Sequence, residues 1–289
     1  MFKKKKDQTY QSYWSISWNI FKKNKVAMVC LFIVILLCLI ALFAPLIAPY
    51  DPNKQVLTDR LIKPCGQHWF GTDDLGRDIF SRIIYGCRVS LSVGIISQII
   101  ATVIGYTMGV CAGYFGGKVD SVISFLIQVF SSFPFLLFAM AIMFVLGPGL
   151  INLYLALGLL GWASTARLIR GDVMRLKKME YIDACKVSGG NSFRIIMKHL
   201  LPNCLSTLIV TVTLGIPNAI MSEASLSFLG LGVKAPMASW GSMISFSQPY
   251  IRSATYYSVI PGLAIIITVL AFNMLGDGLR DALDPKLRS

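Results

Sequence analysis

Ionisable side chains are few in this 289-residue chain and mostly lie outside its long apolar runs. There are two glutamates, Glu180 and Glu223, and two histidines, His68 and His199. Glu223 stands in apolar sequence, where an acid has two physical readings. It is a working group, because a charge at membrane depth is costly and kept for a purpose, or it is a fixture bonded to backbone and hydroxyl groups. The residues alone leave both open. Arg77, Asp78 and Arg82 lie close together in sequence with opposite charges. They read either as a salt-bridge set on a wetted surface or as part of a shaped outer mouth. The seven cysteines include no CxxC pair and no Cys/His cluster at metal-ligand spacing, so no metal site is expected. Cys65 and Cys87 are the two that fall in the outer parts of the chain, and a disulfide between them is one reading. Gly116-Gly117-Lys118 suggests a phosphate loop, but Ala112 and Val119 occupy the positions where that motif needs Gly and Ser or Thr. No catalytic group and no bound cofactor are therefore expected.

The elements that must hold these residues are membrane-length helices. Hydrophobic residues make up 55% of the chain and charged ones 14%, far below the roughly one quarter of soluble proteins. Charge-free runs cover 26–48, 89–113, 121–166, 204–222 and 253–276. A crossing needs roughly 20 apolar residues, so four runs are single spans. The run 121–166 is long enough for two, with Gly147-Pro148-Gly149 as the hairpin and Pro134 as a kink. Six transmembrane helices with both termini on one side follow. The lysine run at residues 3–6 belongs to a mobile tail. A signal peptide is the competing reading of the first apolar run, but its 23 residues and the absence of a small-x-small site favour an uncleaved span.

The net charge of +13 invites a nucleic-acid reading. Its distribution argues against one. Of the 27 Lys and Arg residues, 19 lie on the side of the termini, which the positive-inside rule makes cytoplasmic. Trp162, Arg167 and Arg170 are expected as interfacial anchors. Glycines within the spans (Gly94, Gly105, Gly109, Gly158, Gly161) permit close helix packing.

The stretch 180–203, EYIDACKVSGGNSFRIIMKHLLPN, is amphipathic and charged between two apolar spans. Tyr181, Ala184, Cys185 and Val187 recur at helical spacing, and Gly189-Gly190 breaks the helix. Asn191 and Ser192 cap a second piece with an apolar stripe of Ile195, Ile196 and Leu200, which Pro202 stops. Such a helix–turn–helix cannot hide its polar face in lipid. It projects into water and meets a partner, the competing reading being an interfacial helix pair lying on the bilayer.

This stretch resembles the cytoplasmic coupling loop of ABC-importer permeases. The family pattern is Glu-Ala-Ala, three residues, Gly, nine residues, Ile, one residue, Leu-Pro. Here Asp183, Ala184 and Cys185 are followed by Gly189, His199, Leu201 and Pro202, so Asp keeps the charge, Cys keeps the small size, and His199 departs. The segment FGTDDLGRDIFSRIIYGCRVSLSVG (70–94), the run 224–233, Ala238-Ser239-Trp240-Gly241 and the segment 276–285 resemble the oligopeptide/dipeptide branch, C-type subunit. Phe125 and Gln128 stand where that branch commonly has an Arg and an Asp.

The resemblance implies a type I ABC-importer permease fold, all-α, with a cytoplasmic coupling helix. It divides the chain into 1–88 (cytoplasmic tail, first span and outer loop) and 89–289 (permease domain with the loop 180–203). The coupling residues are Glu180, Tyr181, Asp183, Ala184, Cys185, Lys186, Gly189, His199, Leu201 and Pro202. Arg77, Asp78, Arg82, Glu223 and Trp240 would shape the pathway or its outer mouth. The implied partners are a homologous second permease, two cytoplasmic ABC ATPase subunits that hydrolyse ATP with Mg, an extracytoplasmic substrate-binding protein, a di- or oligopeptide cargo and membrane lipid in a bacterial inner membrane. Two other readings stand: the same architecture carrying nickel or a metal–chelator complex, and a self-sufficient channel or membrane-embedded enzyme.

Overall fold

The computed structural model describes residues 13–283. The lysine run 3–6 and the last residues of the 276–285 motif lie outside the described residues. Twelve α-helices are present among the described residues: α1 (Tyr13–Lys23), α2 (Lys25–Leu42), α3 (Ala44–Ile47), α4 (Ile79–Phe115), α5 (Gly117–Ser132), α6 (Phe135–Leu146), α7 (Leu150–Leu176), α8 (Glu180–Val187), α9 (Ser192–Ile195), α10 (Leu201–Phe228), α11 (Trp240–Ser247) and α12 (Thr255–Leu283). The extended pairing among the described residues is one isolated bridge, Thr72 with Asp78.

By length and composition, four helical stretches suffice to cross a membrane: α2, α4, the stretch ending in α10, and α12. A fifth is available if α5 and α6, bent by 91° at the break before Phe135, count as one span. Pro134 causes that break: it cannot donate to the helix ladder, and it disfavours helical backbone at Phe133, which is extended at ψ 140°. The expected count of six is thus not reached by this measure. Its remaining member, α7, is 27 residues long. Asn152, Ser164, Thr165 and the arginines of its last third dilute its apolar content.

That dilution matches where α7 sits, packed along α4 rather than alone in lipid. The seam is built from glycines. A β-carbon on Gly105, Gly109 or Gly113 would come within 2.6–2.9 Å of α7 atoms, and one on Gly158 within 2.7 Å of Ile100. Small residues every fourth position let the backbones approach, which favours association where apolar burial offers no gain over lipid. Gly94 makes the corresponding approach to Ile216 of α10.

Several expectations require correction. Ile79 begins one helix of 37 residues, which runs from the outer loop straight through the second expected span. The 88/89 division falls inside it. Trp162 is not an interfacial anchor: it is buried, with its ring 5.4 Å from that of Phe130. Arg170 holds Asp120 of α5 through two hydrogen bonds, while Arg167 donates to Ser131. The cysteines are free thiols; Cys87 is buried and Cys65 exposed, so the 65–87 disulfide is not formed.

Candidate functional site: a loop, an outer cap and a groove

The 180–203 loop has a firmly seated inside and a bare outside. Ile182, Ile195 and Leu200 are buried with Val110, Ile169, Val173, Leu176, Cys204 and Leu208 of α4, α7 and α10. The helical spacing of Tyr181, Ala184 and Val187 is real, but these residues turn outward. Val187 is 90% exposed and Phe193 72%. Phe193 was not singled out in the sequence, and Val187 only for its helical spacing. The signal was there to be used, since α8 and α9 are too short to bury apolar residues on both faces. Glu180, Asp183 and Lys186 are exposed, and Lys186 reaches Asp183 at 2.7 Å. Burial pushes the Tyr181 phenol up, with Cys204 adding to the rise and Arg175 opposing it. Its ring lies 6.1 Å from that of His199.

Gly189 ends α8 at φ +79°, a conformation that glycine adopts without the steric cost of a side chain. Gly190 then passes so close to Cys185 that a β-carbon there would lie 2.6 Å from its Sγ. Asn191 caps α9 by accepting from Arg194 N at 2.8 Å. Pro202 was expected to stop the second piece and does not. It occupies the first turn of α10, directly after the π turn Ile196–Leu200 that joins α9 to α10 in one helical stretch. Asn203 Nδ2 donates to His199 O at 2.6 Å, satisfying a carbonyl near the widened turn.

The segment ahead of α4, expected on the outer side and here called the outer cap, is organised around Asp73, which was not singled out in the sequence. Asp73 Oδ2 is 2.6 Å from Arg77 Nε and 3.4 Å from Arg82 Nε, the latter an ion pair without a hydrogen bond. Asp73 Oδ1 accepts from the backbone N–H groups of Leu75 and Arg77, both at 2.9 Å. Arg82 Nη1 donates to Pro52 O at 2.9 Å. Asp78 does not join the arginines. It caps α4 through Ser81 N at 2.7 Å and Ser81 Oγ at 2.8 Å, and contacts His68 Nδ1 at 2.9 Å. Arg77, Asp78 and Arg82 are each at most 4% exposed, so the set is a buried network and not a wetted surface. Gly76 closes its turn at φ +73°, with Val56 O only 1.8 Å from where a β-carbon would be.

Glu223 is fully buried in the outer half of α10. Its Oε1 accepts from Ser227 Oγ and Ser239 Oγ, both at 2.7 Å, while Oε2 has no partner among the described residues. Ser239 also caps α11, and Trp240 next to it donates from its N to Ser90 Oγ at 3.2 Å and from Nε1 to Ile83 O at 3.1 Å. Glu223 and Trp240 therefore tie α4, α10 and α11 together.

A groove of about 1390 Å³ runs along α10, walled by α4, α6, α7 and the end of α12. Arg77, Asp78, Arg82, Glu223 and Trp240 do not line it; of the 180–203 loop, Pro202 and Asn203 do. Its polar surface comes from hydroxyl and carboxamide side chains, with Arg175 and Arg280 at the end nearest the loop. Gly161 and Pro202 were named in the sequence for packing and coupling, but no wall residue was expected to line a pathway. Phe125 and Gln128, the departures from the family pattern, are both exposed on α5 and are not wall residues.

Comparison with known proteins gives one consistent answer. The family profile described as the binding-protein-dependent transport system inner membrane component matches residues 102–289, and that of the N-terminal TM domain of oligopeptide transport permease C matches 12–64. The dipeptide transport system permease protein DppC of Bacillus subtilis (strain 168) is 46% identical over 96% of this chain and 87% of that protein. The oligopeptide transport system permease protein OppC of the same organism is 42% identical over 96% and 91%. The glutathione transport system permease protein GsiD of Pectobacterium atrosepticum is 41% identical over 98% and 95%. Among solved structures, a chain of the MetNI methionine ABC transporter in an inward-facing conformation matches with a TM-score of 0.58 at 19% identity, covering 71% of this chain and 98% of that one, a likeness of fold. This integral membrane chain belongs to the family of inner-membrane components of binding-protein-dependent transport systems, the permeases of ABC importers.

Proposed function

We propose that this chain forms half of the translocation pathway of an ATP-driven importer for di- or oligopeptides. A homologous second permease supplies the other half, and an extracytoplasmic binding protein delivers cargo to the capped side. Two cytoplasmic ATPase subunits hydrolyse ATP with Mg beneath the 180–203 loop. Both termini and the loop face the cytoplasm of a bacterial cell, and no nucleic acid takes part. The peptide cargo follows the names of the relatives at 41–46% identity. The observation that carries the mechanism is the loop's two-sidedness: Ile182, Ile195 and Leu200 root it in the helices while Val187 and Phe193 stand bare. Exposed apolar side chains beside charged ones fit a docking face on a water-soluble partner.

In this mechanism, closure of the ATPases pushes α8. The push passes through the buried anchors into α7 and α10, and the groove along α10 alternates between outward and inward access. Arg77, Asp78, Arg82, Glu223 and Trp240 brace the outer mouth against that movement rather than touching cargo. Cysteines introduced by Tyr181→Cys or Lys186→Cys test the docking. Each should crosslink to an ATPase subunit, with a yield that changes with nucleotide. Absence of a crosslink at both positions under every nucleotide condition would contradict it.

A further inference from the structure

The groove has a chemical character of its own: apart from Arg175 and Arg280 at the end nearest the 180–203 loop, its polar side chains are neutral amides and hydroxyls. Gln98 of α4 lies against Gly215 of α10, so closely that a β-carbon there would meet its Oε1 at 2.2 Å. The absence of a side chain at Gly215 is what admits the carboxamide to the helix surface. Gln98 Nε2 makes a long hydrogen bond to Thr102 Oγ1 at 3.3 Å, and Asn218 Nδ2 bonds its own helix at Leu214 O, 3.2 Å away. Both carboxamide oxygens are left without a donor among the described residues. Ser97, beside Gln98, is 2% exposed, and its Oγ has no partner although it lines the groove. Pro217, one residue before Asn218, removes a rung of the α10 hydrogen-bond ladder at this level.

Resting on the importer reading, we propose that Gln98 and Asn218, facing the groove at the Gly215–Pro217 interruption of α10, form a way-station that hydrogen-bonds the peptide backbone of cargo in transit. A peptide bond carries one donor and one acceptor. The free carboxamide oxygens accept its N–H, and the Ser97 hydroxyl donates to its C=O. Such pairing is indifferent to cargo side chains, as a passage for varied peptides requires. Among the described residues the groove wall holds no Asp, Glu, His or Cys, the groups that would ligate a metal, which separates this occupant from a bare metal ion. An acyl chain offers no partner to the buried Ser97 hydroxyl, and burying a polar group without one is costly. Arg175 and Arg280, at the inner end, suit a terminal carboxylate leaving the groove.

The test uses the complete importer in vesicles, loaded with ATP, with labelled trialanine delivered by the binding protein. Gln98→Leu and Asn218→Leu should each lower uptake about fivefold, as expected for one lost hydrogen bond, and Gln98→Asn should restore part of it. ATP hydrolysis stimulated by the loaded binding protein should stay within about twofold. A benzophenone amino acid replacing Ser222, one turn along the wall, should label a photo-traced tripeptide during turnover. Unchanged uptake in the double variant overturns the proposal. So does ATP hydrolysis falling in step with uptake, or a photoadduct from position 222 formed only with lipid or with the second permease and not with the tripeptide. A wild-type complex that accumulates a nickel chelate but no trialanine overturns the importer reading itself, and does so before any variant is made.

Discussion

The outer cap and the 180–203 loop are both irregular segments joining long helices, yet they are built in opposite ways. The cap turns its charges inward: Asp73, Arg77 and Arg82 are at most 4% exposed, and Gly76 is locked against Val56. The loop turns its charges and several apolar side chains outward, and a β-carbon on Gly189 would meet nothing within 4 Å. A segment whose polar groups are satisfied internally is finished by folding. One that leaves Val187 and Phe193 bare fits the partner docking proposed above. In the proposed mechanism the difference is that between a brace and a transmission element.

The sharpest way to break the contrast is Asp73→Asn. It leaves Arg82 buried without its paired carboxylate and Arg77 with only Asp74, 3.8 Å away, at a cost on the order of 3–5 kcal/mol. A large loss of monodisperse protein, or a lowered thermal midpoint of the purified complex, would show it. Near-native stability would mean that the network is wetter than its geometry indicates.

The two glycine turns sharpen the comparison by a matched pair. Gly76→Ala combines left-handed backbone with a clash against Val56 O and should cost about 3 kcal/mol. Gly189→Ala meets only the backbone cost of about 1–2 kcal/mol. Bulky Gly189→Val should leave the complex assembled while uncoupling ATP hydrolysis from uptake. Normal uptake by Gly189→Val would remove the role assigned to that turn.

Glu223→Leu strips two serine hydroxyls of their acceptor, worth about 1–3 kcal/mol, whereas Glu223→Gln keeps an oxygen for them and should cost less. Thermal unfolding of the two variants reads this difference. Equal losses would point to a role for the carboxylic acid beyond bracing. The smallest stability effect belongs to Val187→Asp and Phe193→Asp, within about 0.5 kcal/mol because neither residue packs against the rest of the chain. Here the change should appear in uptake and in recovery of the ATPase subunit with the purified chain. Retention of both would argue that the exposed face docks nothing.

Much of this architecture was legible in the sequence because its causes are local. Apolar run length gave the long helices, Pro134 the break in the bent pair, Gly147-Pro148-Gly149 the hairpin, and Gly189 the end of α8. What was not legible depends on meetings between distant segments. Asp73 differs little from Asp74 in sequence; only the folded turn places it between two arginines. Trp162 looked like an interfacial anchor because its neighbours are arginines, but the closeness of α4 to α7 buries it. Pro202 was misread because a proline that ends one helix and a proline that opens the next look alike when the helices abut. The groove as such was not legible, since its wall combines five helices and its polar residues, spread over α4, α7, α10 and α12, are unremarkable one at a time.

The central claim is that the 180–203 loop carries force from a motor that lies on another polypeptide. Reconstitution of the permease pair in vesicles, with and without the ATPase subunits, measures it most directly. ATP-dependent accumulation of a labelled tripeptide should appear only when the ATPases are present, and Val187→Asp with Phe193→Asp should abolish it while the vesicles retain intact permease. Transport at full rate by the permeases alone would contradict the account.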